Sequence, residues 1–247
     1  MATGLIFCAG HGPEKTSLFA VALMLNKPFF CLAMRKTILL LVITALFAAC
    51  KSKDEGYIKY SVEYDLPDTL RHYAQYLPKD AIVYFKGDST VSIQKLNDES
   101  TTVITNQKAG FMQVLLKSPT KKIIVNYTKA DQDEEKRQMP KFNYKPQKDV
   151  RTIAGVKATK YLLEEKLSGE TSADWFSKDV KIIPNSLTLM FDPSVGFPMD
   201  FTLNQNGIRV RTVVKEIKYQ KIPAGVFTTP FGYTPLTPQQ LKELPVE

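Results

Sequence analysis

All three cysteines of this chain, Cys8, Cys31 and Cys50, fall within its first 50 residues, so everything downstream must fold without a disulfide. Stability there has to come from a buried core, and roughly 200 residues are enough to build one. The proportions of apolar (44%) and charged (23%) residues are those of a globular chain and exclude a mainly disordered one. A single globular domain is expected over residues 57–247.

The residues before Cys50 have the three parts of an export signal. From Met34 the chain reads Met34-Arg35-Lys36-Thr37, then an apolar run from Ile38 to Ala49, then Cys50. That run is shorter than the about 20 apolar residues a spanning helix requires. A longer anchor over 17–49 is broken by Asn26-Lys27-Pro28 and by Arg35-Lys36. Residues 1–33 read as an over-extended start, 34–49 as the signal peptide and 50–56 as a tether. The ending Leu46-Phe47-Ala48-Ala49-Cys50 resembles the lipobox of lipoprotein signal peptidase substrates, with Phe47 where leucine is usual. The resemblance implies covalent diacylglycerol on the Cys50 sulfur and an N-acyl lipid on its amine, hence a membrane partner through that anchor. The expected location is the cell envelope, at the outer membrane on its periplasmic or surface-exposed side. Lys51-Ser52-Lys53-Asp54-Glu55 reads as a solvated tether, and its Lys-Asp-Glu also resembles a surface-export signal of some Gram-negative lipoproteins.

The net charge is +8. Removing residues 1–49 takes away Lys15, Lys27, Arg35 and Lys36 against Glu14, a loss of +3 that leaves +5. The remaining lysines are interleaved with acids and form no arginine- and aromatic-rich stripe, so nucleic acid is not an expected partner.

Hydrophobic periodicity predicts strands. In Tyr57–Tyr64, Ile58, Tyr60, Val62 and Tyr64 alternate with Lys59, Ser61 and Glu63. Leu70, Tyr73, Ala74 and Leu77 switch to helical spacing, with Asp68 as N-cap and Pro78 as stop. Strands are expected at 81–86, 90–96, 101–105, 111–117 and 122–127, separated by short turns. Residues 129–148, acidic and then basic with Pro140 and Pro146, read as a loose segment holding a turn or two of helix around 133–138. Strands resume at 150–155, 157–165, 171–177, 186–191, 198–204 and 208–220, with Asn206-Gly207 as a hairpin turn. Thr237-Pro238-Gln239-Gln240 is a capping box that opens a short terminal helix reaching about residue 244. The fold expected is α+β: a mostly antiparallel curved sheet of about ten strands, or an incomplete β-barrel, with one or two short helices.

Catalytic signatures are sparse. His72 is the one histidine after Cys50, and nucleotide-binding glycine loops are absent. Metal ligands and cofactors are not expected, and neither is conventional catalysis. Carboxylate pairs need no sequence adjacency, so a carboxylate hydrolase stays open as a third reading; Asp192 and Asp200 read as turn caps. More prominent are apolar residues in alternation: Met112 and Val114 with Leu116; Leu187, Leu189 and Phe191; and Met199 with Phe201 and Leu203. They either fill the core or line a cavity for an apolar ligand, with Trp175 as a lining or plugging side chain.

Three stretches carry a resemblance: Thr152-Ile153-Ala154-Gly155-Val156-Lys157-Ala158-Thr159-Lys160-Tyr161, Trp175-Phe176-Ser177-Lys178-Asp179, and Ile222-Pro223-Ala224-Gly225-Val226-Phe227 through Phe231-Gly232-Tyr233. They resemble an uncharacterised bacterial lipoprotein family similar to the outer-membrane lipoprotein-sorting (Lol carrier-like) superfamily. The resemblance implies an incomplete barrel, plugged by helices, that binds apolar ligands. The leading expectation is a tethered protein binding a lipid, lipoprotein or other apolar ligand. The alternative is a non-catalytic structural or interaction subunit working with another envelope protein.

Overall fold

The computed structural model describes residues 54–243 apart from 206 and 224. The export signal, Cys50, most of the tether and Asn206 of the hairpin lie outside the described residues.

The chain alternates because it builds a sheet. The strands are β1 (Glu55–Asp65), β2 (Asp80–Lys86), β3 (Ser89–Leu96), β4 (Glu99–Asn106), β5 (Phe111–Lys117), β6 (Lys122–Tyr127), β7 (Phe142–Ile153), β8 (Val156–Glu165), β9 (Thr171–Ser177), β10 (Phe197–Gln205), β11 (Ile208–Tyr219) and β12 (Thr234–Leu236). They form one unclosed, curved sheet in the order β12-β6-β5-β4-β3-β2-β1-β11-β10-β9-β8-β7. Every pairing is antiparallel except β12 on β6, which is parallel. The helices are few and short: a 3-10 helix at Asp68–Tyr76, α1 at Lys129–Gln138 and α2 at Pro238–Lys242.

Two cores lie on opposite faces of this sheet. On the first face, Ile58, Tyr60, Val83 and Phe85 pack with Leu163, Phe176, Met199, Phe201 and Val214. A ring cluster holds this core together: Phe191 stands edge-on to Phe176 and Phe201, with centroids 5.5 and 5.0 Å away. On the second face, Val91, Ile104, Leu115 and Ile124 are roofed by Val226, Phe227 and Tyr233. Register fixes the change of side. Val91 pairs with Tyr84 and Ile104, one residue out of step with Val83, and a one-residue step reverses the face. The first face of β3–β6 therefore belongs to neither core.

Four expectations need correction. Residues 186–191 are a run of turns, not a strand, within the long connection from β9 to β10. Asn185 diverts that backbone: its Oδ1 accepts the Leu187 N–H, and its own N–H donates to Thr188 Oγ1. Residues 129–148 are ordered as α1 followed by most of β7. Thr128 and Asp131 form a reciprocal capping box, and Pro140 follows the helix stop at Met139. Pro146 is tolerated because β7 is an edge strand with a register shift between Pro146 and Val150. The helix at 68–76 is 3-10 rather than α, starts after Pro67 and buries no residue. Finally, β12 was not anticipated from its three residues, Thr-Pro-Leu, which are too few for a period to show.

Candidate functional site

On the first face of β3–β6 most side chains stay half-exposed, although Thr90, Ser92 and Val125 are buried. Three rows cross the strands: Thr105, Met112 and Tyr127; Val103, Val114 and Val125; Thr101, Leu116 and Ile123. Over the first row lies a cavity of about 360 Å³. Val103, Thr105 and Met112 form its floor, the β4–β5 turn with Asn106, Gln107 and Gly110 one side, and Pro184, Asn185 and Leu189 another. α1 closes it with Gln132, Lys129 and Lys136. That volume falls in the range of small-molecule sites, about 300–1,000 Å³.

Two local devices keep the walls in place. Gln132 Nε2 donates to the carbonyls of Gly110 (2.8 Å) and Tyr127 (3.2 Å), which fixes α1 over the turn. Opposite, Asn185 is buried and its Nδ2 donates to Tyr60 Oη at 3.3 Å, pinning the β9–β10 connection to β1. Burial pushes the Tyr60 hydroxyl well above its ordinary pKa, so it stays a neutral partner. The cavity rim is cationic. Lys129 pairs with Asp133, whereas Lys136 makes no ion pair among the described residues.

The eight apolar residues expected to line a ligand site fall into three places. Met112 and Leu189 line the cavity, and Val114 continues its floor. Phe191, Phe201 and Leu203 are buried in the first-face core, and Leu187 packs against it half-buried. Phe191 also walls a smaller pocket of about 240 Å³ beneath the β9–β10 connection. Trp175 lines neither pocket and packs half-buried against the first-face core. Cys50 is outside the described residues.

Trp175 belongs to a polar constellation that sequence reasoning missed. The Arg151 guanidinium stacks on its ring, 4.1 Å from the centroid, and pairs with Asp200. Arg211 grips the same carboxylate in bidentate fashion, Nε to Oδ1 at 3.0 Å and Nη2 to Oδ2 at 2.8 Å, and reaches Glu63 at 3.4 Å. Asp200 thus binds two arginines and caps no turn; Asp192 does cap one, accepting the Ser194 N–H at 2.8 Å. Asp174 is buried too. Desolvation raises its pKa to about 7 against hydrogen bonds from Ser172 Oγ (3.0 Å) and Thr202 N–H (3.1 Å). Strand separation hid these contacts, since Arg151 and Asp200 meet only through three intervening pairings.

His72 lies on the 3-10 helix beside Tyr73, with ring centroids 4.0 Å apart. Among the described residues no group of three His, Cys, Asp or Glu side chains is placed to hold a metal, and no helix is long and apolar enough to cross a membrane.

The fold and the cavity define a class of protein: a single curved antiparallel sheet with cores on both faces and a half-apolar, lysine-rimmed pocket where neither core reaches. No protein-family model matches the chain, and no curated protein matches it.

Proposed function

We propose that this is a membrane-tethered binding protein, lipidated on Cys50 at the outer membrane of a cell envelope, that takes an apolar or amphiphilic ligand in the cavity under α1. The sheet serves as an incomplete barrel, in keeping with the resemblance to lipoprotein-sorting carriers. The observation that carries the reading is the half-exposed row of Val103, Met112 and Leu189 around open volume, where a purely structural sheet would close on itself. Neither a metal nor a cofactor has a role in it.

Native mass spectrometry of the full chain carrying Cys50→Ser tests this. A co-purified or added apolar ligand, lost in Leu189→Asp without a change in melting temperature, is the expected outcome. A chain that stays empty with every lipid offered would overturn it.

A second reading, a structural or interaction subunit, draws on aromatic and aliphatic side chains left in solvent: Phe231 is 99% exposed, Leu167 93% and Tyr76 60%. Stable capture of an envelope protein by the chain, abolished by Phe231→Ser with Leu189→Asp silent, would favour it.

A further inference from the structure

At the end of the sheet away from α1, one row of the second face is built from lysine. Lys95 on β3, Ser100 on β4, Lys117 on β5 and Lys122 on β6 are register partners, so their side chains leave the same face. They lie two residues beyond the row Ile93-Thr102-Leu115-Ile124, which belongs to the second core. Lys117 stands directly opposite Lys122, and like charges in that position repel across about 5 Å. All three lysines are exposed, and none has an ion pair or a side-chain hydrogen bond among the described residues. The acids of the β3–β4 turn lie outside the row. Glu99 pairs with Leu96, one step out of register and therefore on the first face, and Asp98 is exposed at the turn itself. The segment 220–236, which roofs the second core, carries no acid at all.

Phe231 stands beside this row. Thr234 pairs with Ile123, next to Lys122, and Phe231 precedes it by three residues, a reach of at most about 11 Å. Gly232 lines one surface recess together with Ser118, Lys121, Lys122 and Ile123. Its φ of +82° turns the chain back toward β12. Tyr233 is held in the roof of the second core, whereas Phe231 is 99% exposed, with Pro230 and Gly232 exposed on either side.

An apolar ring beside unneutralised ammonium groups matches an anionic lipid surface, where aromatic rings settle at headgroup level and lysines meet phosphates. A protein partner fits less well, because lysine is depleted in protein interfaces. A soluble polyanion would leave the ring unused.

We propose that this end of the second face docks on an anionic lipid surface, with Phe231 entering the headgroup layer and Lys95, Lys117 and Lys122 pairing with lipid phosphates. The docking goes beyond the ligand reading of the cavity under α1, which lies at the other end of the same strands and plays no part in it. Attraction of about fivefold per lysine makes the contact weak by itself. Its role is to orient a chain that another signal already holds at the membrane.

Lysine acetylation footprinting, read by mass spectrometry, tests the docking residue by residue. The full chain carrying Cys50→Ser is acetylated in the presence of vesicles of phosphatidylglycerol or of phosphatidylcholine. Phosphatidylglycerol is expected to slow acetylation of Lys95, Lys117 and Lys122 at least fivefold and to leave Lys129 and Lys136 unchanged. Phosphatidylcholine should protect none of them. Phe231→Ser should raise the lipid concentration for half-protection about tenfold, and the exposure of that side chain keeps the variant folded. Lys117→Glu joined to Lys122→Glu should abolish protection of Lys95. Equal protection of all five lysines, protection by the neutral lipid, or protection indifferent to Phe231→Ser overturns the docking. Polyphosphate that protects the row as well as vesicles do also overturns it, and assigns a soluble polyanion. Absence of protection by every probe overturns it too, and leaves Phe231 to a protein partner. None of these results touches the ligand reading, which Leu189→Asp decides separately.

Discussion

The amide of Asn185 reaches across the first-face core to the hydroxyl of Tyr60, 125 residues earlier, and this contact seats the long β9–β10 connection. Both groups are buried, so each depends on the other for its hydrogen bond. Tyr60→Phe is expected to cost about 1–3 kcal/mol by stranding the amide. Hydrogen exchange and limited proteolysis should both accelerate within residues 178–196 before the rest of the sheet responds; uniform acceleration would show that the contact does not hold the connection.

Asp200 holds two guanidiniums while showing 7% of its side chain to solvent. Asp200→Asn should destabilise by about 1–3 kcal/mol, less than a fully buried ion pair would, because Arg151 and Arg211 are 39% and 47% exposed and water takes up the charges left behind. Arg211→Ala should cost less, because Arg151 still neutralises the carboxylate. Urea midpoints of the two variants check the order. The Arg151–Trp175 stack gives a second readout: tryptophan fluorescence should change in Asp200→Asn, since the carboxylate positions the guanidinium on the ring.

Asp174 makes stability fall as pH rises. Its folded pKa of about 7 lies above the ordinary carboxylate value, so between those limits the folded chain keeps a proton that the unfolded chain releases. The stabilisation is fully present below the unfolded pKa and is lost as pH climbs through about 7. Asp174→Asn keeps an acceptor for the Thr202 N–H and carries no charge. The variant should gain stability relative to the parent from pH 5 to pH 8, by a few kcal/mol on the order of 1.4 per pKa unit. Parallel chemical-denaturation curves at the two pH values measure the difference, and parallel slopes would contradict it.

Gly56 is required by close approach. A Cβ there would stand 2.2 Å from the Lys218 carbonyl oxygen and 2.7 Å from the Phe85 ring. Gly56→Ala must therefore push β1 off β11 where the two meet Tyr219. A loss of several °C in melting temperature is expected, with Gly87→Ala, where open space surrounds the position but φ is positive, as the comparison.

The strands were legible in the sequence wherever one face is buried, because alternation of period 2 is visible within a single segment. Ile58, Tyr60 and Val62 announce β1, and Ala81, Val83 and Phe85 announce β2. The change of face at β3 was not legible. Val91 and Ile93 alternate just as Val83 and Phe85 do, and only register tells which side they take. The same limit governs the site. Met112, Val114 and Leu189 were singled out as apolar, as were Phe191 and Phe201, yet nothing within each segment distinguishes a cavity wall from a core. Leu187, Leu189 and Phe191 misled further: their spacing suits a strand, but Pro184 and the Asn185 side chain fold the segment into turns.

β12 carries a consequence for biosynthesis. It runs parallel to β6 and is separated from it by more than a hundred residues of chain, so the outer edge of β6 has no partner until the segment around Thr234 has left the ribosome. Until then Ile123, Ile124 and Val125 present an open strand to every other nascent copy. A stall or truncation between β11 and β12 should therefore yield chains that join edge to edge, and the three residues Thr234–Leu236 act as the stopper that keeps them apart.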